Sequence, residues 1–286
     1  MKNKELIIVL GPTAVGKSNY AVELALQHNS PIISCDSRQI YKEMKIGTAP
    51  PSPEMLAKIQ HYFIFSHSIH ALYTAGKYEL EALEILNGLF ETHDTLVMVG
   101  GSGLYIDALC YGLDDFPDAD DTIRNTLAGR LEKEGIESLR AELQIVDEEA
   151  YRTMDIANPR RIMRALEVFL MTGKKYSSYK SNHTKERNFK ITKIGLNRNR
   201  EELYERINLR VDQMVEEGLV EEARDLYQYR HLTALNTVGY RELFDYFANT
   251  ISLEKAIELI KRNSRRYAKR QLTYWRRDEN IRWIGI

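Results

Sequence analysis

Residues 11–18 read GPTAVGKS, the spacing G-x-x-x-x-G-K-[ST]. A loop of this kind holds phosphate. Its glycines let backbone N–H groups turn inward around phosphate oxygens, and the helix that follows adds the positive end of its dipole. Gly11, Pro12, Thr13, Ala14, Val15 and Gly16 would form the cradle, Lys17 would supply a full charge, and Ser18 could ligate Mg²⁺. Hydrolysing a nucleotide is a further requirement, for which such enzymes usually present a strand ending in Asp. Here TLVMVGG, residues 95–101, ends in glycines, and no N-K-x-D guanine reader occurs. The one strand-like segment ending in acid is PIISCD, residues 31–36. Its Asp36 could be a Mg²⁺ ligand, a general base or the cap of a turn. A second glycine turn, GGSGLY at 100–105, offers backbone N–H groups and the Ser102 hydroxyl, or is simply a tight strand-to-helix connection.

These residues need a scaffold that brings them to one rim. ELIIVLG reads as a buried strand entering the phosphate loop, and Ala21, Leu24 and Ala25 then fall at helical spacing. PIISCD, TLVMVGG and KITKIGL (190–196) read as further strands, HYFIF (61–65) as another, and IRWIGI as a short closing strand. Helices are predicted over 77–92, near 103–111, and near 200–217, 219–230 and 253–275. Strands alternating with helices predict an α/β fold, a parallel sheet with helices on both faces and ligands at the carboxyl ends of the strands. The acidic stretch DDFPDADD (114–121) breaks this texture, and 121–173 reads as all helix. Asn158-Pro159 looks like a helix start and Gly173 a stop. The predicted division is an α/β core of 1–117 and 190–286 with a helical insertion over 118–189.

The 286 residues, 43% hydrophobic, can bury a sizeable core. The formal net charge of -1 neither demands nor excludes nucleic acid, so clustering decides. Residues 261–277 hold eight Lys or Arg and no acid, and Arg262, Arg266, Lys269 and Arg270 fall on or near one helix face. That pattern suits tracking a phosphate backbone better than a solvated face of mixed sign. Arg160, Arg161 and Arg164 make a second cluster within one turn, while Ile162, Leu166 and Phe169 point towards a core. Cys35 and Cys110 show no metal spacing, and two cysteines are too few for a disulfide framework, so a cytoplasmic location is expected. The longest apolar run near the start, LIIVL, is too short to cross a membrane. His61, His67 and His70 match no common metal motif and read as ordinary histidines.

GPTAVGKS, DSRQIYKEMKIGTAPP, VGGSGLY, NPRRIMRALE, TVGYREL and AKRQLTYW follow one another across about residues 5 to 285. In these motifs the chain resembles the bacterial tRNA dimethylallyltransferases (tRNA isopentenyltransferases). The resemblance implies transfer of the dimethylallyl group of dimethylallyl diphosphate to N6 of adenine 37 in the tRNA anticodon loop. By that implication the phosphate loop holds a leaving group, which accounts for the missing hydrolase acid. Asp36 matches the family's general base. Lys17, the loop amides, Mg²⁺ at Ser18 and Arg210 match its diphosphate set, and Ser102 stands where the family usually has Thr. Asp36, Ser37, Arg38, Gln39 and Ser102 match positions at the target base. Arg124, Arg160, Arg161 and Arg164, the turn residues Thr237, Gly239, Tyr240 and Arg241, and Lys269, Arg270 and Arg276 match tRNA contacts. At Asn236 some relatives have Arg. A monomer is expected, with tRNA and dimethylallyl diphosphate as partners.

Two rival functions use the same residues. A small-molecule kinase would share the phosphate loop and early rim acid and bind ATP, but has no need of the basic helix. A non-enzymatic RNA-binding protein with a relic phosphate loop would bind tRNA and form no product.

Overall fold

The computed structural model describes residues 4–180 and 184–286. Six strands form one sheet: β1 (Glu5–Leu10), β2 (Ile32–Ser34), β3 (His61–Tyr62), β4 (Thr95–Gly100), β5 (Lys190–Asn197) and β6 (Ile281–Gly285), in the order β3-β2-β4-β1-β5-β6. Every pairing is parallel. β1 and β4 are buried from their second residue onward, which explains their unbroken apolar runs: a central parallel strand is covered on both faces. Because β4 lies between β1 and β2, the carboxyl ends of β1, β4 and β2 are neighbours.

The helices in chain order are α1 (Lys17–Gln27), α2 (Pro53–Lys58), α3 (Ala75–Leu89), α4 (Gly103–Tyr111), α5 (Asp121–Glu134), α6 (Ile136–Val146), α7 (Glu148–Thr153), α8 (Pro159–Thr172), α9 (Arg200–Glu216), α10 (Leu219–Asp225), α11 (Tyr240–Phe247) and α12 (Leu253–Trp275). HYFIF supplies only a two-residue strand, since Phe63 and Phe65 turn into the left-handed region (φ 61 and 50) and end the pairing. The helix predicted over 219–230 stops at Asp225 and gives way to a 3₁₀ turn at Tyr227–Tyr229. α2 and α11 were not legible from apolar periodicity: α2 buries no residue, and α11 is only eight residues long.

The chain divides into two compact units, Met1–Tyr111 with Glu186–Ile286, and Gly112–Lys185. The sequence reading draws these boundaries at 117/118 and 189/190. The acidic stretch goes with the helical unit because Phe116 stacks on Tyr176, ring centroids 4.6 Å apart, and Arg164 donates to the Pro117 carbonyl at 2.6 Å. The helical unit packs Leu127, Leu139, Leu143, Ile162 and Leu166 into its own core. Its α8 begins with Asn158 capping the Arg160 N–H and Pro159 in the first turn, and ends at Gly173 with φ 68.

Candidate active site

The phosphate loop joins β1 to α1. Gly11 (φ 150) and Gly16 (φ 113) adopt backbone that favours glycine, and a Cβ on Gly11 would come within 2.6 Å of the Leu196 carbonyl. Ala14 takes φ 63 with a side chain present, and its carbonyl accepts from Arg206 Nε at 2.9 Å. Lys17 folds over the loop and donates to the Pro12 carbonyl at 2.9 Å. Desolvation, and then the nearby Arg210, lower the Lys17 pKa to about 8, against an upward pull from Asp36. Burial also lowers Arg210, aided by Arg206 and opposed by Asp36. Two desolvated cations, Lys17 and Arg210, thus share one place that holds too little negative charge, with the exposed Arg206 beside them. An anion bound there would relieve both the burial and the repulsion.

Asp36 lies one residue beyond Cys35, just past the end of β2. The Cys35 N–H donates to the Val99 carbonyl at 2.8 Å and the Ser102 N–H to the Cys35 carbonyl at 3.3 Å, so the ends of β2 and β4 are joined. A Cβ on Gly100 would meet the Cys35 backbone at 2.6 Å, so only glycine permits this approach. Asp36 Oδ1 accepts from the N–H groups of Arg38 (2.8 Å) and Gln39 (3.3 Å). The capping role is real, and it leaves Oδ2 with no hydrogen-bond partner among the described residues. Ser102 Oγ accepts from the Ser37 N–H at 2.8 Å and lies 3.0 Å from Ser37 Oγ. Lys17, Ser18, Asp36, Gln39 and Arg210 all line one cavity.

Sequence reading missed several of the groups that assemble this cavity. Buried Gln271 of α12 accepts from the Thr13 N–H at 2.9 Å and donates to the Gly101 carbonyl at 2.9 Å, tying the two glycine turns together. It lies within the AKRQLTYW motif, whose pattern gives no sign of these two partners. Arg206, one turn before Arg210 on α9, lines the cavity too, and that i, i+4 spacing could have revealed it. Glu222 of α10 accepts from the N–H groups of Lys45, Ile46 and Gly47 (2.6–2.9 Å) and from the Tyr240 hydroxyl at 2.7 Å. It thereby fixes the loop whose Thr48 and Ala49 carbonyls accept from Gln39 Nε2 at 3.2 and 2.9 Å. Gln271→Leu would strand the Thr13 N–H and the Gly101 carbonyl. We expect a loss of about 1–3 kcal/mol in urea denaturation, from the two hydrogen bonds that leucine cannot make.

The expected tRNA contacts fall into two sets. Arg160, Arg161, Arg241, Lys269, Arg270 and Arg276 are exposed, as are Arg262 and Arg266. Thr237 is half-buried. Others are engaged internally. Arg124 and Arg164 both pair with buried Glu167, at 2.8 and 2.7 Å, and Arg38 donates to the carbonyls of Thr233 and Ala234 at 3.2 and 2.9 Å. Tyr240 and Gly239 are buried, and the Tyr240 ring packs where a Cβ on Gly47 would lie, so this side chain shapes the turn from inside. Among the described residues no cluster of three His, Cys, Asp or Glu could hold a metal, and no helix is long and apolar enough to cross a membrane.

Fold and site together define a parallel α/β phosphate-loop protein whose loop faces a rim carboxylate. Residues 39–278 match the family model for IPP transferase. The chain is 50% identical over 279 residues to tRNA dimethylallyltransferase 1 of Bacteroides thetaiotaomicron, covering 98% of this chain and 91% of that protein. It is 51% identical to the tRNA dimethylallyltransferase of Christiangramia forsetii, covering 98% and 92%. Among solved structures it resembles the tRNA isopentenylpyrophosphate transferase of Bacillus halodurans (36% identity, TM-score 0.72, 99% of this chain and 90% of that one). It also resembles a eukaryotic dimethylallyltransferase described as acting on tRNA (25% identity, TM-score 0.80, 99% and 74%). The chain belongs to the IPP transferase family and is a transferase enzyme.

Proposed function

We propose that this enzyme transfers the dimethylallyl group from dimethylallyl diphosphate to N6 of adenine 37 in the tRNA anticodon loop, releasing diphosphate. The names of its relatives support prenyl transfer to tRNA. The observation that carries the finer reading is one cavity that holds an Asp36 carboxylate facing a cationic phosphate cradle. The N6 lone pair attacks C1 of the allylic donor, the C1–O bond breaks, and Asp36 Oδ2 takes the N6 proton. The amine is a weak nucleophile because its lone pair is delocalised into the ring, so removing the proton as the bond forms lowers the barrier. Lys17, Arg210, Arg206 and the loop amides face the charge that grows on the departing diphosphate. Ser102 lies beside the Asp36 turn and can offer its hydroxyl to the bridging oxygen once it leaves Ser37.

Ser18 fits a Mg²⁺ role. Its hydroxyl borders the cavity beside Lys17 and makes no hydrogen bond among the described residues. Mg²⁺ commonly takes one or two protein ligands and completes its shell with phosphate oxygens and water. When bound, it would neutralise diphosphate charge. The target base must leave its stack to reach Asp36.

The test is incubation of the protein with unmodified tRNA, Mg²⁺ and labelled dimethylallyl diphosphate. Label at N6 of adenine 37 is expected. No label in RNA, with ATP consumed in a parallel reaction, would instead favour the kinase. The exposed basic face of α12 carries a separate expectation. Removing Arg266 and Lys269 together weakens tRNA binding and reduces the slope of log K against log salt by about 1.5, as two lost phosphate contacts require. An unchanged slope in a salt titration would remove this face from the RNA path.

A further inference from the structure

The lining of the active-site cavity divides by chemistry. Lys17, Ser18, Arg206 and Arg210 give it cationic and polar groups, while Ala14, Ala49, Pro51, Ile64, Val99 and the Tyr267 ring give it an apolar surface. A donor whose diphosphate lies in the phosphate loop must rest its hydrocarbon on that apolar surface, because the chain gains nothing from charged groups. His61 borders the cavity too, and burial lowers its pKa, which favours a neutral ring.

Among these apolar residues Ile64 is set apart. Ala14 and Val99 belong to the sheet core, Ala49 offers a single methyl, Pro51 is a rigid ring, and Tyr267 carries a polar hydroxyl at its tip. Ile64 is half-buried on the loop after β3, between Phe63 and Phe65, both in the left-handed region. Bulky residues rarely take that conformation. Their surroundings hold them there. Phe63 is buried against Tyr78, ring centroids 5.1 Å apart, and the Tyr78 hydroxyl donates to the Ser34 carbonyl at 3.0 Å. The N–H groups of Phe65 and His67 donate to the Gln39 and Ile40 carbonyls, both at 2.9 Å. The loop is therefore clamped to the segment that carries Asp36. Backbone strain kept in place by so many contacts, and bracketing a residue that faces a reactive cavity, points to a role for that residue.

We propose that Ile64 closes the hydrocarbon end of the donor pocket and restricts the enzyme to a five-carbon allylic diphosphate. This rests on the prenyl-transfer reading above. Shortening the side chain makes room for further carbons of a longer donor and removes contact with the short one. Enlarging it crowds out the short donor. Single methylenes in an apolar pocket discriminate by roughly 10-fold to 200-fold.

The experiment measures kcat/KM on unmodified tRNA with dimethylallyl and with ten-carbon geranyl diphosphate, for the wild type and for Ile64→Ala, Ile64→Val and Ile64→Phe. In Ile64→Ala the geranyl-to-dimethylallyl ratio rises at least about tenfold, with a smaller rise in Ile64→Val. Ile64→Phe loses about tenfold in kcat/KM for dimethylallyl diphosphate at an unchanged tRNA KM. If Ile64→Ala does not fold, the opposite shifts of the Val and Phe variants decide. A wild type active with dimethylallyl diphosphate and a ratio unmoved in every folded variant would overturn the proposal. A wild type that prenylates nothing would overturn the functional reading itself, and this proposal with it.

Discussion

Asp36→Asn lowers kcat by about 10²–10⁴-fold, the usual worth of a positioned proton acceptor, while the Kd for tRNA stays nearly constant. Asparagine is the informative replacement. Its carbonyl oxygen can still accept from the Arg38 and Gln39 N–H groups, so the turn that Oδ1 holds survives. What is lost is the second oxygen, Oδ2, and with it the base. Asp36→Ala removes the cap as well and mixes the two effects. Single-turnover rates and filter binding on the same variant separate them. A loss of tRNA affinity matching the loss of rate would make Asp36 a binding residue, and an unchanged kcat would exclude it as the base.

Lys17→Met lowers kcat/KM for the allylic diphosphate by about 10²–10³-fold, as expected for a preorganised charge aimed at a leaving group. The same residue predicts a pH limb. Its pKa is lowered to about 8 from an ordinary 10.5 in the unbound enzyme, first by desolvation and then by Arg210. Diphosphate supplies the missing negative charge and raises it again. Between pH 8 and the higher value in the complex, binding takes up a proton. Donor affinity is therefore constant in this term below pH 8 and falls as pH rises above it. Because the folded pKa lies below the unfolded one, the charged lysine opposes folding fully below pH 8, and that opposition fades as pH rises towards 10.5. In Lys17→Met the donor KM should lose its rise above pH 8. Persistence of that limb in the variant would assign it to another group.

Residues local in sequence were legible because their geometry is local. The phosphate loop lies within residues 11–18, and its glycines and lysine act through neighbouring backbone. Asp36 stood out as the one acid ending an apolar strand, and the turn reading and the base reading use different oxygens of the same carboxylate. The basic face of α12 was visible because eight cations without an acid is a property of the string. The same method does not reach Glu167: the spacing of Arg164 beside Arg160 and Arg161 says nothing of the buried carboxylate that pairs with it and with Arg124 inside the helical unit.

What only the tertiary structure decided involves partners far apart in the chain. Gln271 reaches Thr13 across 258 positions and Gly101 across 170. Glu222 holds residues 45–47 from about 175 positions away. Each is a polar side chain that takes the unmet hydrogen bonds of a turn no local pattern links to it. Ile64 faces the cavity because two flanking residues accept strained backbone under contacts made elsewhere. The string alone determined the glycine-lysine turn after β1, the carboxylate after β2 and most of the alternating strands and helices, because those follow from short-range backbone preferences and apolar periodicity. The fold decided which distant side chains close the cavity, because burial and hydrogen-bond satisfaction are settled only when the whole chain is packed.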